Sequence, residues 1–154
     1  AIQYSTDWNN FTKVKLNHLV DKSSLRSVFE GRMFLQVDNT LFIATNKGLV
    51  TLRNQKNSVD NFKIYLPDKS NPNAISDRKI TSLIQSNNRN IWIGTQEKGL
   101  SVIQSFTARG TPVFKNYLPA YGVKGALQNE RVSCLLEDSK GRLWIGTYKG
   151  LHLY

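Results

Sequence analysis

Leu143-Trp144-Ile145-Gly146-Thr147-Tyr148-Lys149-Gly150-Leu151 decides the fold, because the chain writes it three times. Ile91-Trp92-Ile93-Gly94-Thr95-Gln96-Glu97-Lys98-Gly99-Leu100 repeats it with one residue more in the turn, and Leu41-Phe42-Ile43-Ala44-Thr45-Asn46-Lys47-Gly48-Leu49 repeats it with Phe for Trp and Ala for Gly. Thr45, Thr95 and Thr147 stand 50 and 52 residues apart. A period of about 50 residues belongs to arrays in which each repeat folds as one four-stranded propeller blade.

The similarity extends outward from this core. Upstream, Lys79-Ile80-Thr81-Ser82-Leu83-Ile84-Gln85 matches Arg131-Val132-Ser133-Cys134-Leu135-Leu136-Glu137, and polar turns, Ser86 to Asn90 and Asp138 to Arg142, lead into the Trp strands. Downstream, Phe62-Lys63-Ile64-Tyr65-Leu66-Pro67 matches Phe114-Lys115-Asn116-Tyr117-Leu118-Pro119. Four short β-rich segments bounded by turn residues make one blade. The reading is an all-β chain of about three four-stranded antiparallel blades, 20–66, 75–118 and an incomplete 127–154, with 1–19 giving an outer strand to a preceding blade. In the first copy, Met33 to Val37 and Leu41 to Thr45 flank Asp38-Asn39-Thr40 as a hairpin. Its innermost strand begins somewhere between Leu25 and Met33.

Each shared position has a physical reason. Inner strands are covered on both faces by neighbouring blades, so they read as nearly continuous apolar runs. Phe42, Trp92 and Trp144 are therefore expected as inter-blade core. Ala44, Gly94 and Gly146 signal close approach of another backbone or ring. Gly48, Gly99 and Gly150 supply a positive φ where the chain turns into the third strand. Cys134 is the only cysteine, which excludes an intramolecular disulfide, and its run Val132-Ser133-Cys134-Leu135-Leu136 reads as core.

The 154 residues carry 21 Lys and Arg against 11 Asp and Glu, a formal charge of +10. The excess favours anionic partners. It is spread from Lys13 to Lys149 without a block of one sign, as on a solvated surface. Nucleic-acid binding needs exposed rings interleaved with basic residues, whereas the aromatics here recur with the blade and are used in packing. No catalytic set emerges. Glu137 and Asp138 suit a turn in which a carboxylate accepts backbone N–H bonds; Asp60, Asp68 and Asp77 follow no repeated position; His18 and His152 have no ligand partners at metal spacing. Neither a cofactor nor a metal is expected. The start Ala1-Ile2-Gln3 carries no signal peptide, and it reads as an excised segment or processed product.

One charged feature does recur. Lys47, Lys98 and Lys149 occupy the same turn of each copy. In a propeller, that turn and the loop leading into the next blade open on one face, and the lead-in loops carry Arg78 with Lys79, and Lys124 with Arg131. The seven cations would form an arc suited to an anionic saccharide or an acidic partner surface. Equally, lysine before a turn glycine is simply a soluble choice.

Arg131 to Leu151, with its Glu-Asp-Ser-x-Gly turn, Leu-Trp-Ile-Gly-Thr strand and Gly-Leu return, resembles the two-component regulator propeller repeat. The second copy departs from it at Ser86 to Asn90, the first keeps only Ile43-Ala44-Thr45 and Lys47-Gly48-Leu49, and Ser70-Asn71-Pro72-Asn73-Ala74-Ile75-Ser76-Asp77 is similar to the family's lead-in. The resemblance implies the periplasmic sensor half of a membrane-spanning hybrid histidine kinase, non-catalytic, recognising an anionic or neutral oligosaccharide or a partner domain, and touching the membrane only through its parent receptor. Propellers close with about four to eight blades. A three-blade chain is accordingly expected inside a larger ring or with a second subunit on its bare faces. The alternatives are a dimerisation or interaction scaffold without a sensing role, and a propeller lyase or hydrolase acting on acidic polysaccharide.

Overall fold

A computed structural model describes residues 32–53 and 62–154. The outer strand expected from 1–19, the start of the first blade before residue 32, Asp60 and His18 lie outside the described residues. The described chain is all β, in three antiparallel sheets. The first contains β1 (Met33–Val37), β2 (Thr40–Thr45), β3 (Gly48–Arg53) and β4 (Phe62–Tyr65). The second contains β5 (Ile80–Gln85), β6 (Ile91–Thr95), β7 (Leu100–Phe106) and β8 (Pro112–Tyr117). The third contains β9 (Val132–Glu137), β10 (Leu143–Thr147) and β11 (Gly150–Leu153). Strands pair in chain order within each sheet, so every connection is a local hairpin.

Strand β6 explains how the sheets stack. All five of its residues are buried, and alternation along the strand sends them to two interfaces. Ile91 and Ile93, with Leu83 and Ile103, meet Phe42, Ala44 and Leu49 of the first blade. Trp92, with Leu100 and Val102, meets Val132, Leu143 and Ile145 of the third. The innermost strands touch in turn, β5 against β1 on one side and β9 on the other. Polar tethers reinforce the second interface: Thr81 Oγ1 donates to the Val132 carbonyl (2.6 Å), and the Asn87 N–H donates to Glu137 Oε2 (2.7 Å).

The small residue after Ile serves side chains rather than the backbone or ring that the sequence led us to expect. A Cβ at Gly94 would run into the Ser82 hydroxyl and lie 2.7 Å from Val132 Cγ1 across the interface. At Gly146 the obstacle is the sulfur of its cross-strand neighbour Cys134.

Two core assignments change in the third sheet. Cys134 is exposed and Trp144 only half-buried. Register places Trp144 beside Leu136 and Leu153, and Gly146 beside Cys134 and Leu151. Leu136, Leu151 and Leu153 are all exposed. This is the face equivalent to that of Trp92, but no described element covers it. Periodicity identifies the face; it does not supply the neighbour that buries it.

Trp144 instead has a local partner. Its indole N–H donates to Asp138 Oδ2 (2.8 Å), while Oδ1 accepts the backbone N–H groups of Lys140 and Arg142 and Oδ2 also takes Arg142 Nε. These bonds, Trp144's foremost, hold the Asp138 carboxyl far below the ordinary carboxylate range. A depressed carboxyl stabilises the fold above its unfolded pKa, and that contribution fades as pH falls towards the folded value. Asp138→Ala should therefore lower the urea midpoint at pH 7, with the gap to wild type shrinking below about pH 4. A gap that stayed constant into acid would remove the carboxylate as its source.

Candidate functional site

The β2–β3, β6–β7 and β10–β11 turns share one internal construction. Thr45, Thr95 and Thr147 each donate their hydroxyl to the carbonyl of the turn glycine, Gly48, Gly99 or Gly150, at 2.6, 2.8 and 2.9 Å. The same oxygens accept the backbone N–H of Lys47, Lys98 and Lys149 at 3.1, 3.2 and 3.2 Å. The glycines have φ of 137°, 77° and 124°, a region that side chains disfavour. Sequence reading registers the recurrent threonine; its role becomes clear only from these bonds.

In blades two and three the lead-in loops join these turns through the backbone. Gln96 N–H donates to the Lys79 carbonyl and Tyr148 N–H to that of Arg131, while Gly99 N–H crosses between blades to the Glu130 carbonyl. Buried Asp77 accepts the N–H groups of Lys79 and Glu97. Asn129, also buried, accepts that of Arg131. Asp77 thus does occupy a repeated position, 52 residues before Asn129. The amide in place of the carboxylate hid the correspondence.

The cations sit among carboxylates. Lys79 pairs with Glu97 at 2.5 Å. The Lys79 bond and charge, with Arg78 and Lys98 nearby, hold the Glu97 carboxyl below its usual range. Glu130 accepts the Tyr121 hydroxyl, and this bond, with Lys149 close by, lowers its carboxyl too. The Arg131 guanidinium lies 3.8 Å from the centroid of the Tyr148 ring. Arg78, Lys98, Lys124 and Lys149 are exposed, while Lys47, Lys79 and Arg131 are half-buried. The structure gathers Arg78, Lys79 and Lys98 around Glu97, and Lys149 beside Glu130; Lys47 stands at the first blade's turn and Lys124 in the loop before the third blade.

That last loop is held by one side chain. The Gln128 amide nitrogen faces the carbonyls of Ala120, Val123 and Ala126, and its Oε1 accepts the Gly122 N–H. Tyr121 and Val123 are displayed on its surface. Gln128, Tyr121 and Tyr148 escape sequence reasoning because none recurs between copies. Among the described residues no three His, Cys, Asp or Glu side chains gather as a metal site, and no helix is long and apolar enough to cross a membrane.

Residues 74–97 and 126–149 match the two-component regulator propeller family, each match running from a lead-in loop into a threonine turn. Both segments are similar to two-component regulator propeller repeats. The propeller is similar in structure to the extracellular domain of the hybrid two component system BT4673 from B. thetaiotaomicron, at 20% identity over 87% of this chain and 16% of that one, with a TM-score of 0.65. It is similar to the corresponding domain of BT3049 from the same organism, at 20% identity over 98% and 18% and a TM-score of 0.64. PorZ, a surface component of the type-IX secretion system of Porphyromonas gingivalis, shares 16% identity over 78% and 19%, with a TM-score of 0.57. At such identities the likeness shows the fold, and this propeller spans less than a fifth of each of those chains. No curated protein matches the sequence.

Proposed function

We propose that this propeller is the extracytoplasmic recognition module of a two-component signalling receptor, periplasmic, binding a glycan or a partner domain on its loop face and relaying the event to a kinase outside this chain. One observation supports the reading: backbone bonds tie the threonine turns of blades two and three to the lead-in loops, one of them across the blade boundary, and the exposed Arg78, Lys98 and Lys149 lie on these segments. The extracellular origin of the BT4673 and BT3049 domains supports the compartment. The module works without catalysis on this reading, because the face's carboxylates are committed: Asp77 to two backbone N–H groups, Glu97 to Lys79, Glu130 to Tyr121. A second reading, an assembly scaffold, draws on the uncovered apolar face of the third sheet, since such patches mark association sites.

The combined Lys98→Ala and Lys149→Ala variant, at two exposed positions, is expected to keep wild-type thermal stability and to bind sulfated or uronate-rich oligosaccharides more weakly on a glycan array. Exposed charges act over about 8–10 Å at ordinary ionic strength, so their loss should also flatten the salt dependence. Equal affinity at low salt would take the lysines out of recognition.

A further inference from the structure

Blades two and three carry the same small device with one difference. In each, the residue just before the innermost strand is a cation, Lys79 or Arg131, whose carbonyl accepts the N–H of the first turn residue, Gln96 or Tyr148. In blade two the turn is one residue longer, and the additional Glu97 places its carboxylate on the cation at 2.5 Å. In blade three that glutamate is missing. The neighbouring carboxylate, Glu130, takes the Tyr121 hydroxyl, and Arg131 makes no ion pair among the described residues. What Arg131 has instead is the Tyr148 ring beneath its guanidinium.

We propose that the Arg131–Tyr148 pair is an oxyanion subsite for an acidic sugar, in which the ligand's carboxylate or sulfate takes the place that Glu97 fills in blade two. The inference rests on the loop face being the recognition surface and names the chemistry it selects. A guanidinium stacked on an aromatic ring is fixed in plane while its N–H edges stay available to a carboxylate or sulfate in paired hydrogen bonds. Lys149, next in the turn and exposed, adds a second positive charge. Tyr148 is 65% exposed and offers an apolar surface beside the cation. An acidic monosaccharide has both matching parts: an anionic group and a ring with apolar C–H faces. Binding sites of this kind combine an apolar platform with a few placed polar groups.

The test measures binding of the chain to tetragalacturonate, to its methyl ester and to a sulfated tetrasaccharide that lacks carboxylates. Wild type should bind at least one acidic probe about tenfold more tightly than the ester, and whichever acid wins identifies the oxyanion. Arg131→Lys should lose about tenfold, because a lysine cannot reproduce the planar fork. A sharper variant replaces Tyr148 by Gln and inserts Glu after it, rebuilding the Gln96-Glu97-Lys98 turn. It supplies the internal competitor, so it should lose the preference for acid over ester while keeping the wild-type unfolding midpoint. Equal binding of acid and ester by wild type, or an unchanged preference in the insertion variant, would overturn the subsite. Neutral glycans bound on the array would then still sustain the loop face as a recognition surface, whereas no binding to any glycan would remove its glycan reading as well.

Discussion

Truncating Trp92 to alanine is expected to cost roughly 3–5 kcal/mol, the range for deleting a buried large aromatic. The ring is 3% exposed and belongs to the cluster that joins the second and third blades. Its centroid lies 4.9 Å from that of Tyr154 and 5.8 Å from that of Tyr117, so both aromatic neighbours lose a partner with it. Trp144→Ala, at the same repeat position, should lose clearly less, since that side is uncovered and the main local loss is the bond to Asp138. Urea unfolding of both variants measures the difference. Equal losses would mean that repeat position, not the neighbouring blade, sets the value of the ring.

The second large effect is expected from adding a single methyl group. Gly94→Ala puts a Cβ against the Ser82 hydroxyl and 2.7 Å from Val132 Cγ1, in a seam where Val132 is fully buried. Overpacking of this kind typically costs about 1–3 kcal/mol. The Ser82 hydroxyl is itself buried without a hydrogen-bond partner among the described residues, so Ser82→Ala alone should be neutral or stabilising. The two changes touch, and their effects should not add. The double variant should recover part of the loss. If Gly94→Ala unfolds at the wild-type midpoint, the seam between blades two and three is looser than these distances require.

Much of this was legible because a repeat repeats its reasons. Three copies of one strand–turn–strand pattern specify hairpins in chain order, and Thr45, Thr95 and Thr147 end the strands β2, β6 and β10 in register. What a repeat cannot convey is which copy has a neighbour. Trp144 reads as core for the same reason that Trp92 does, and Cys134 reads as core from its apolar run, yet of these only Trp92 has another sheet over it. The loop face was legible as a gathering of turns, and its recurrent lysines stood out. Its chemistry was not: Glu97, Glu130, Tyr121 and Tyr148 occur once each in the alignment of copies, and their partners come from segments 9 to 18 residues away. A pairing of that range leaves no periodic trace.

The threonine turn has a consequence for how such a surface can change. Its hydroxyl ties the carbonyl of the turn glycine and the N–H just before that glycine, and these two bonds recur in all three copies. The side chains in between take no part in these two bonds. They read Asn-Lys, Gln-Glu-Lys and Tyr-Lys in the three copies, and the middle version accommodates a whole extra residue while the same bonds persist. The turn therefore behaves as an interchangeable cassette. Its contents can be rewritten, lengthened or grafted from one blade to another while the scaffold stays the same, which lets an array of near-identical blades present a different surface at each position around the ring.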